Sequence, residues 1–168
     1  SFRMQELDVV GVRIEMPTNA PVLVLREQVE PHRVMTLYIG GPEASAIHAA
    51  LEGIEPPRPL THDLCIAVIE NFGSEIEKVV ITEVKNETYY AEIHFVSRRE
   101  VEPVSARLSD AVALALRVNC PIYVSDDLLE LVGKIVGQDV AVEQDNENEI
   151  IDEFKDFIEN VSPEDFFD

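Results

Sequence analysis

Ser109-Asp-Ala-Val-Ala-Leu-Ala-Leu-Arg-Val118 is the stretch that decides the fold. Ala111, Val112, Ala113, Leu114, Ala115, Leu116 and Val118 leave no polar face, so their spacing predicts a helix that is apolar nearly all round. Such a helix belongs at the centre of a domain, covered on several sides. Just beyond it, Pro121 to Val124 reads as a strand, and Ser125 is placed to cap a short helix that opens with Asp126-Asp127.

Working back toward the N-terminus, Val101 to Ala106 is a short strand candidate. Glu75 to Val84 and Thr88 to Ser97, rich in β-branched and aromatic residues, flank Lys85-Asn86-Glu87 and predict a hairpin. Thr61 is a candidate N-cap for a helix running to about Phe72, with Leu64, Cys65, Val68 and Phe72 expected as its inner face. The stiff loop Glu55-Pro-Pro-Arg-Pro-Leu60 delivers the chain to it. Before that loop, Pro42 introduces a helix over Glu43 to Leu51, and a strand spans Arg33 to Ile39. Leu7 to Met16 and Val22 to Leu25 form two strands around Pro17-Thr-Asn-Ala-Pro21. Paired strands with helices inserted at intervals predict the α+β class, with one mainly antiparallel or mixed sheet and helices packed on it.

The chain has 168 residues, one domain's worth, with 33 acidic against 13 basic residues and a formal net charge of -20. From Asp139 to Asp168 there are 12 acidic residues and one lysine, so that stretch alone carries -11. This acidity excludes a general electrostatic attraction for nucleic acid, which would need local basic groups or bridging cations. No run approaches the roughly 18 apolar residues of a membrane span, and no cationic segment precedes an apolar run, so no membrane association and a cytoplasmic location are expected. Met4 reads as the natural start. Cys65 and Cys120 lack a CxxC pair and are expected to be buried thiols.

The acidic run at 139–147 reads as a linker between a domain over 4–138 and a C-terminal segment over 148–168. In that segment Ile150, Ile151, Phe154, Phe157 and Ile158 fall on one stripe of a helix whose remaining surface is acidic. An acidic amphipathic helix is expected there, docking on its own domain or on a dimer mate.

Two helix starts carry chemistry-bearing residues. In Arg58-Pro-Leu-Thr-His-Asp63 the geometry suits a general base or a carboxylate metal ligand, and it equally suits a cap, with Asp63 complementing the helix dipole and His62 merely exposed. In Arg107-Leu-Ser-Asp110 a capping motif with a local ion pair competes with an arginine placed to meet a phosphate. Glu43, beside Gly40-Gly41, could join a metal cluster or simply favour its own helix dipole.

The strings Tyr38-Ile-Gly, Pro56-Pro-Arg-Pro-Leu-Thr-His-Asp-Leu64, Thr88-Tyr-Tyr-Ala91, Arg107-Leu-Ser-Asp-Ala-Val-Ala-Leu-Ala-Leu-Arg117 and Pro121-Ile-Tyr-Val124, taken in order, resemble the bifunctional nuclease (BFN) domain family over about Met4 to Leu131. The end of the chain, Ser162-Pro-Glu-Asp-Phe-Phe, resembles the actinobacterial branch. The resemblance implies a small, single α+β domain, usually dimeric, with nuclease activity on RNA and DNA. It singles out Arg58, Thr61, His62, Asp63, Arg107, Ser109 and Asp110. Tyr38, Ser105 and Leu108 depart from it, standing where the family commonly has Trp, Asp and Pro. Metal-assisted phosphodiester hydrolysis would give catalytic roles to His62, Asp63, Arg58, Arg107 and Asp110. Asp63, Asp110 and Glu43 would then hold Mg or Mn as cofactor, and the chain would act as a homodimer on an RNA or DNA substrate. The rival reading is a non-catalytic dimeric interaction or regulatory module.

Overall fold

The computed structural model describes residues 3–136. Its strands are β1 (Met4–Glu15), β2 (Ala20–Glu27), β3 (Val34–Tyr38), β4 (Ser74–Lys85), β5 (Thr88–Ser97), β6 (Val104–Arg107) and β7 (Ile122–Ser125). The helices are α1 (Gly41–Leu51), α2 (Thr61–Asn71), α3 (Leu108–Val118) and α4 (Asp126–Val132). The linker at 139–147 and the amphipathic helix expected within 148–168 lie outside the described residues.

One sheet holds all seven strands in the order β3-β2-β1-β7-β4-β5-β6, and only the β4–β7 pair is parallel. The expected α+β class is therefore what the chain adopts. Hairpins build the two ends, β1–β2–β3 and β4–β5–β6, and the short β7 joins them at the centre.

Helix α3 lies where its composition places it: Leu108, Ser109 and Ala111 to Ala115 are all buried, packed against α1, α2 and the strands β4, β5 and β6. Leu116, by contrast, is only partly buried. The helix ends at Asn119, whose left-handed φ of 56° lets the Cys120 N–H close the turn onto the Ala115 carbonyl at 3.2 Å. Ser125 caps α4 as its side chain allows, its Oγ accepting the Leu128 N–H at 3.1 Å.

Three expectations need correction. Thr61 is the first residue of α2 rather than its cap; the Asp63 carboxylate instead accepts the Leu60 N–H at 3.0 Å and holds the helix start. Neither Ser109 nor Asp110 caps α3, which starts one residue earlier, after Arg107. Helix α2 also turns its other side inward. Among its residues none is buried, Leu64, Cys65, Val68 and Phe72 face outward, and the half-buried positions are His62, Asp63, Ile66 and Ile69. The polar anchors at its start decide the rotation, because their partners lie on α3. Cys65 is accordingly exposed, whereas Cys120 is half-buried and its thiol is pushed up to about 11 by burial.

One buried ion pair was not anticipated. Glu27 is in phase with Leu23 and Leu25 on the covered face of β2 and is 1% exposed. Arg33, arriving from the following turn, reaches its carboxylate with Nε, Nη2 and the backbone N–H, and also donates from Nη2 to Asp126 at 2.7 Å. Gln5 adds a bond to the same Asp126 oxygen at 3.2 Å. The cluster ties β1, β2 and the turn before β3 to the start of α4.

Candidate active site

The C-terminal end of β6 runs straight into α3, so Arg107 and Asp110 are three residues apart at a strand-to-helix corner. The Arg107 Nε donates to Asp110 Oδ2 at 2.9 Å, and its Nη2 reaches Glu43 Oε1 at 2.8 Å. Glu43 stands in the first turn of α1, and a Cβ at Gly40 would collide with its carboxylate, so glycine at that position gives the side chain its room. On the other oxygen of Asp110, Oδ1 meets Nε2 of His62 at 2.9 Å. A continuous chain Glu43, Arg107, Asp110, His62 thereby connects α1, β6, α3 and α2.

Both the His62 and Glu43 side chains are about 15% exposed, Asp110 is 29% exposed and Arg107 is 67% exposed. The four residues line a groove of about 1000 Å³, together with Thr61, Cys65 and Ser105. Bonding to Asp110 and then Glu43 holds the Arg107 guanidinium firmly in its charged form. In the tautomer that donates its Nε2 hydrogen to Asp110, His62 carries its lone pair on Nδ1, which is the arrangement of an oriented base.

Asp63 does not join this group. Its Oδ1 pairs with Arg117 Nε at 2.9 Å near the other end of α3, and it borders a separate depression between α1, α2 and α3. The Leu60 N–H first, and Arg117 as well, hold its carboxyl below the usual range. Arg58 is exposed on its loop and does not line the groove, and Ser109 is buried in the first turn of α3.

A divalent ion fits this donor set poorly. Among the described residues no group of three His, Cys, Asp or Glu side chains is gathered to hold one. Of the three candidate carboxylates, Glu43 and Asp110 are already bridged by a guanidinium, and Asp63 is paired with Arg117 instead. Ser105, which also lines the groove, brings a hydroxyl and no carboxylate.

Residues 23–136 match the family model of the bifunctional nuclease domain, and the chain belongs to that family. The groove and every residue of the Glu43 to Asp110 chain lie inside the matched region. At 43% identity over 97% of this chain and 98% of theirs, it is also similar to two uncharacterized proteins of Mycobacterium tuberculosis, one from strain CDC 1551 / Oshkosh and one from strain ATCC 25618 / H37Rv. Among the described residues no helix is long and apolar enough to cross a membrane.

Proposed function

We propose that the groove beside His62 binds the backbone of a nucleic acid and hydrolyses its phosphodiester bond, with His62 as general base. The observation that carries this is the convergence of His62, Asp110 and Arg107, 48 and 3 residues apart in sequence, on one open groove. In the step, a water oxygen forms the new bond to phosphorus while its proton passes to the free imidazole nitrogen. The bond to the leaving sugar oxygen breaks, and solvent supplies that oxygen's proton. Asp110 fixes the tautomer and stabilises the imidazolium, and the exposed side of Arg107 offsets the phosphate charge.

One observation favours a second reading, a non-catalytic interaction module. Arg107 already faces two carboxylates, so with His62 neutral the four groups sum to -1, in a chain of net -20. That charge opposes a polyanion.

The test is cleavage of single-stranded RNA and DNA by purified protein, with EDTA in one arm and Mg or Mn in the other. Cleavage that falls about 10²-fold or more in His62→Ala, the usual contribution of a positioned base, supports the active site. Equal rates in wild type and His62→Ala overturn it, and absence of cleavage in both arms leaves the interaction module as the reading.

A further inference from the structure

Helix α2 is held to the domain from one side only. Its inward positions are those of His62, Asp63, Ile66 and Ile69, while Leu60 (50% exposed), Leu64 (55%), Val68 (48%) and Phe72 (81%) form an apolar row on the outside. These four are spaced by four residues each, so they make one unbroken i±4 ridge. At 100° per residue the only other charged position on the helix besides Asp63, Glu70, lies about 140° from the centre of that ridge. Ile54, 55% exposed, borders the same depression as Leu60 and extends the patch.

We infer that this face is the self-association surface of the protein, with α2 packing against α2 of a second copy across a two-fold axis. Two i±4 ridges interdigitate, crossing at about 50°, and a two-fold interface must be self-complementary, which one uniform ridge is. The row leaves on the order of 400 Å² of apolar side chain uncovered per copy, as large as monomeric proteins ordinarily expose. Pairing would remove about twice that, enough for the dry centre of an interface of about 1,200 Å² or more. Electrostatics select the same patch. Two chains of net -20 repel each other almost everywhere, and contact costs least at a face without charge. In the crossing, Leu64 and Val68 of both copies meet at the axis and Phe72 of one copy turns toward Leu60 of the other. Leu60 also lines the His62 groove, so the seam borders both grooves. The inference is independent of whether the groove cleaves anything.

The experiment is sedimentation of the full chain at micromolar concentration. Wild type is expected at twice its 18.8 kDa mass. Val68→Asp and Phe72→Asp should each weaken association by about 30-fold or more, the loss of a hot-spot residue, with unchanged far-ultraviolet circular dichroism. In a Cys65→Ser background, mixing Leu64→Cys with Val68→Cys chains should yield a disulfide-linked pair on mild oxidation. A monomeric wild type overturns the inference. So does a dimer that survives both aspartates, or one broken by Phe154→Asp or Phe157→Asp but not by Phe72→Asp, which would assign the contact to the C-terminal segment.

Discussion

His62 and Asp110 lie 48 residues apart in the chain and meet at 2.9 Å, imidazole to carboxylate, where the first turns of α2 and α3 converge. The contact does two things at once. It orients the imidazole at the groove, and with the Asp63–Arg117 pair it pins to the domain a helix that buries none of its own residues. Under the proposed function, base and anchor are the same side chain, so measurements on His62 variants must read stability beside activity.

Glu43 separates the two readings of the groove. Should Arg107 serve a phosphate, Glu43 is its competitor, and Glu43→Gln is expected to strengthen binding of single-stranded RNA several-fold at low salt, the gain fading as salt is raised. Binding measured by fluorescence anisotropy checks this. An unchanged affinity with a lowered thermal midpoint would instead make the Glu43–Arg107 pair a strut.

Truncations along α3 should follow its burial. Leu114 is 4% exposed, so Leu114→Ala is expected to cost about 2 to 5 kcal/mol in urea unfolding. Leu116 is partly buried and borders the depression near Asp63, so Leu116→Ala should cost clearly less. Equal losses would mean that α3 is rotated so that Leu116 is as deeply buried as Leu114.

The Glu27–Arg33 pair is buried on the carboxylate side, and removing one partner leaves a charge without its counter-ion. Glu27→Ala is expected to destabilise the protein by about 3 to 5 kcal/mol. The double variant Glu27→Met, Arg33→Met should recover much of that loss, because no unpaired charge is left buried. Equilibrium denaturation of the three proteins checks the order.

The features legible in the sequence are those set by local periodicity. Helix α3 shows itself by lacking a polar face, and the hairpins by alternation around Asn86 and the prolines of 17–21. Glu27 could have been found the same way, since it keeps step with Leu23 and Leu25 while an arginine follows six residues later. Helix α2 was misleading because an apolar stripe normally marks the inward face, and only the tertiary partners of His62 and Asp63 show that this one looks outward. Adjacent positions on a helix diverge by about 100°, which is why His62 and Asp63, read together as one site, reach opposite ends of α3. Such a split depends on where α3 lies, and no spacing within 58–63 carries it.

The attachment of α2 should be sensitive to acid. Asp63 has its carboxyl held below the ordinary aspartate range, by the Leu60 N–H foremost and by Arg117 as well. A carboxyl depressed on folding contributes stability that is fully present above its unfolded value of about 3.9, and that contribution is lost as the pH falls through the lower folded value. Hydrogen exchange at the start of α2, measured relative to β4, is therefore expected to accelerate below about pH 4. Asp126 titrates in the same direction, held down by Arg33 and then Gln5, but its partners lie at the start of α4, so it should not alter this ratio. Asp63→Asn keeps an acceptor for the Leu60 N–H and removes the titration. The variant should show faster exchange at neutral pH, where the Arg117 ion pair is missing, and little further change in acid. An acid limb that persists unchanged in Asp63→Asn would show that another group controls the attachment of the helix.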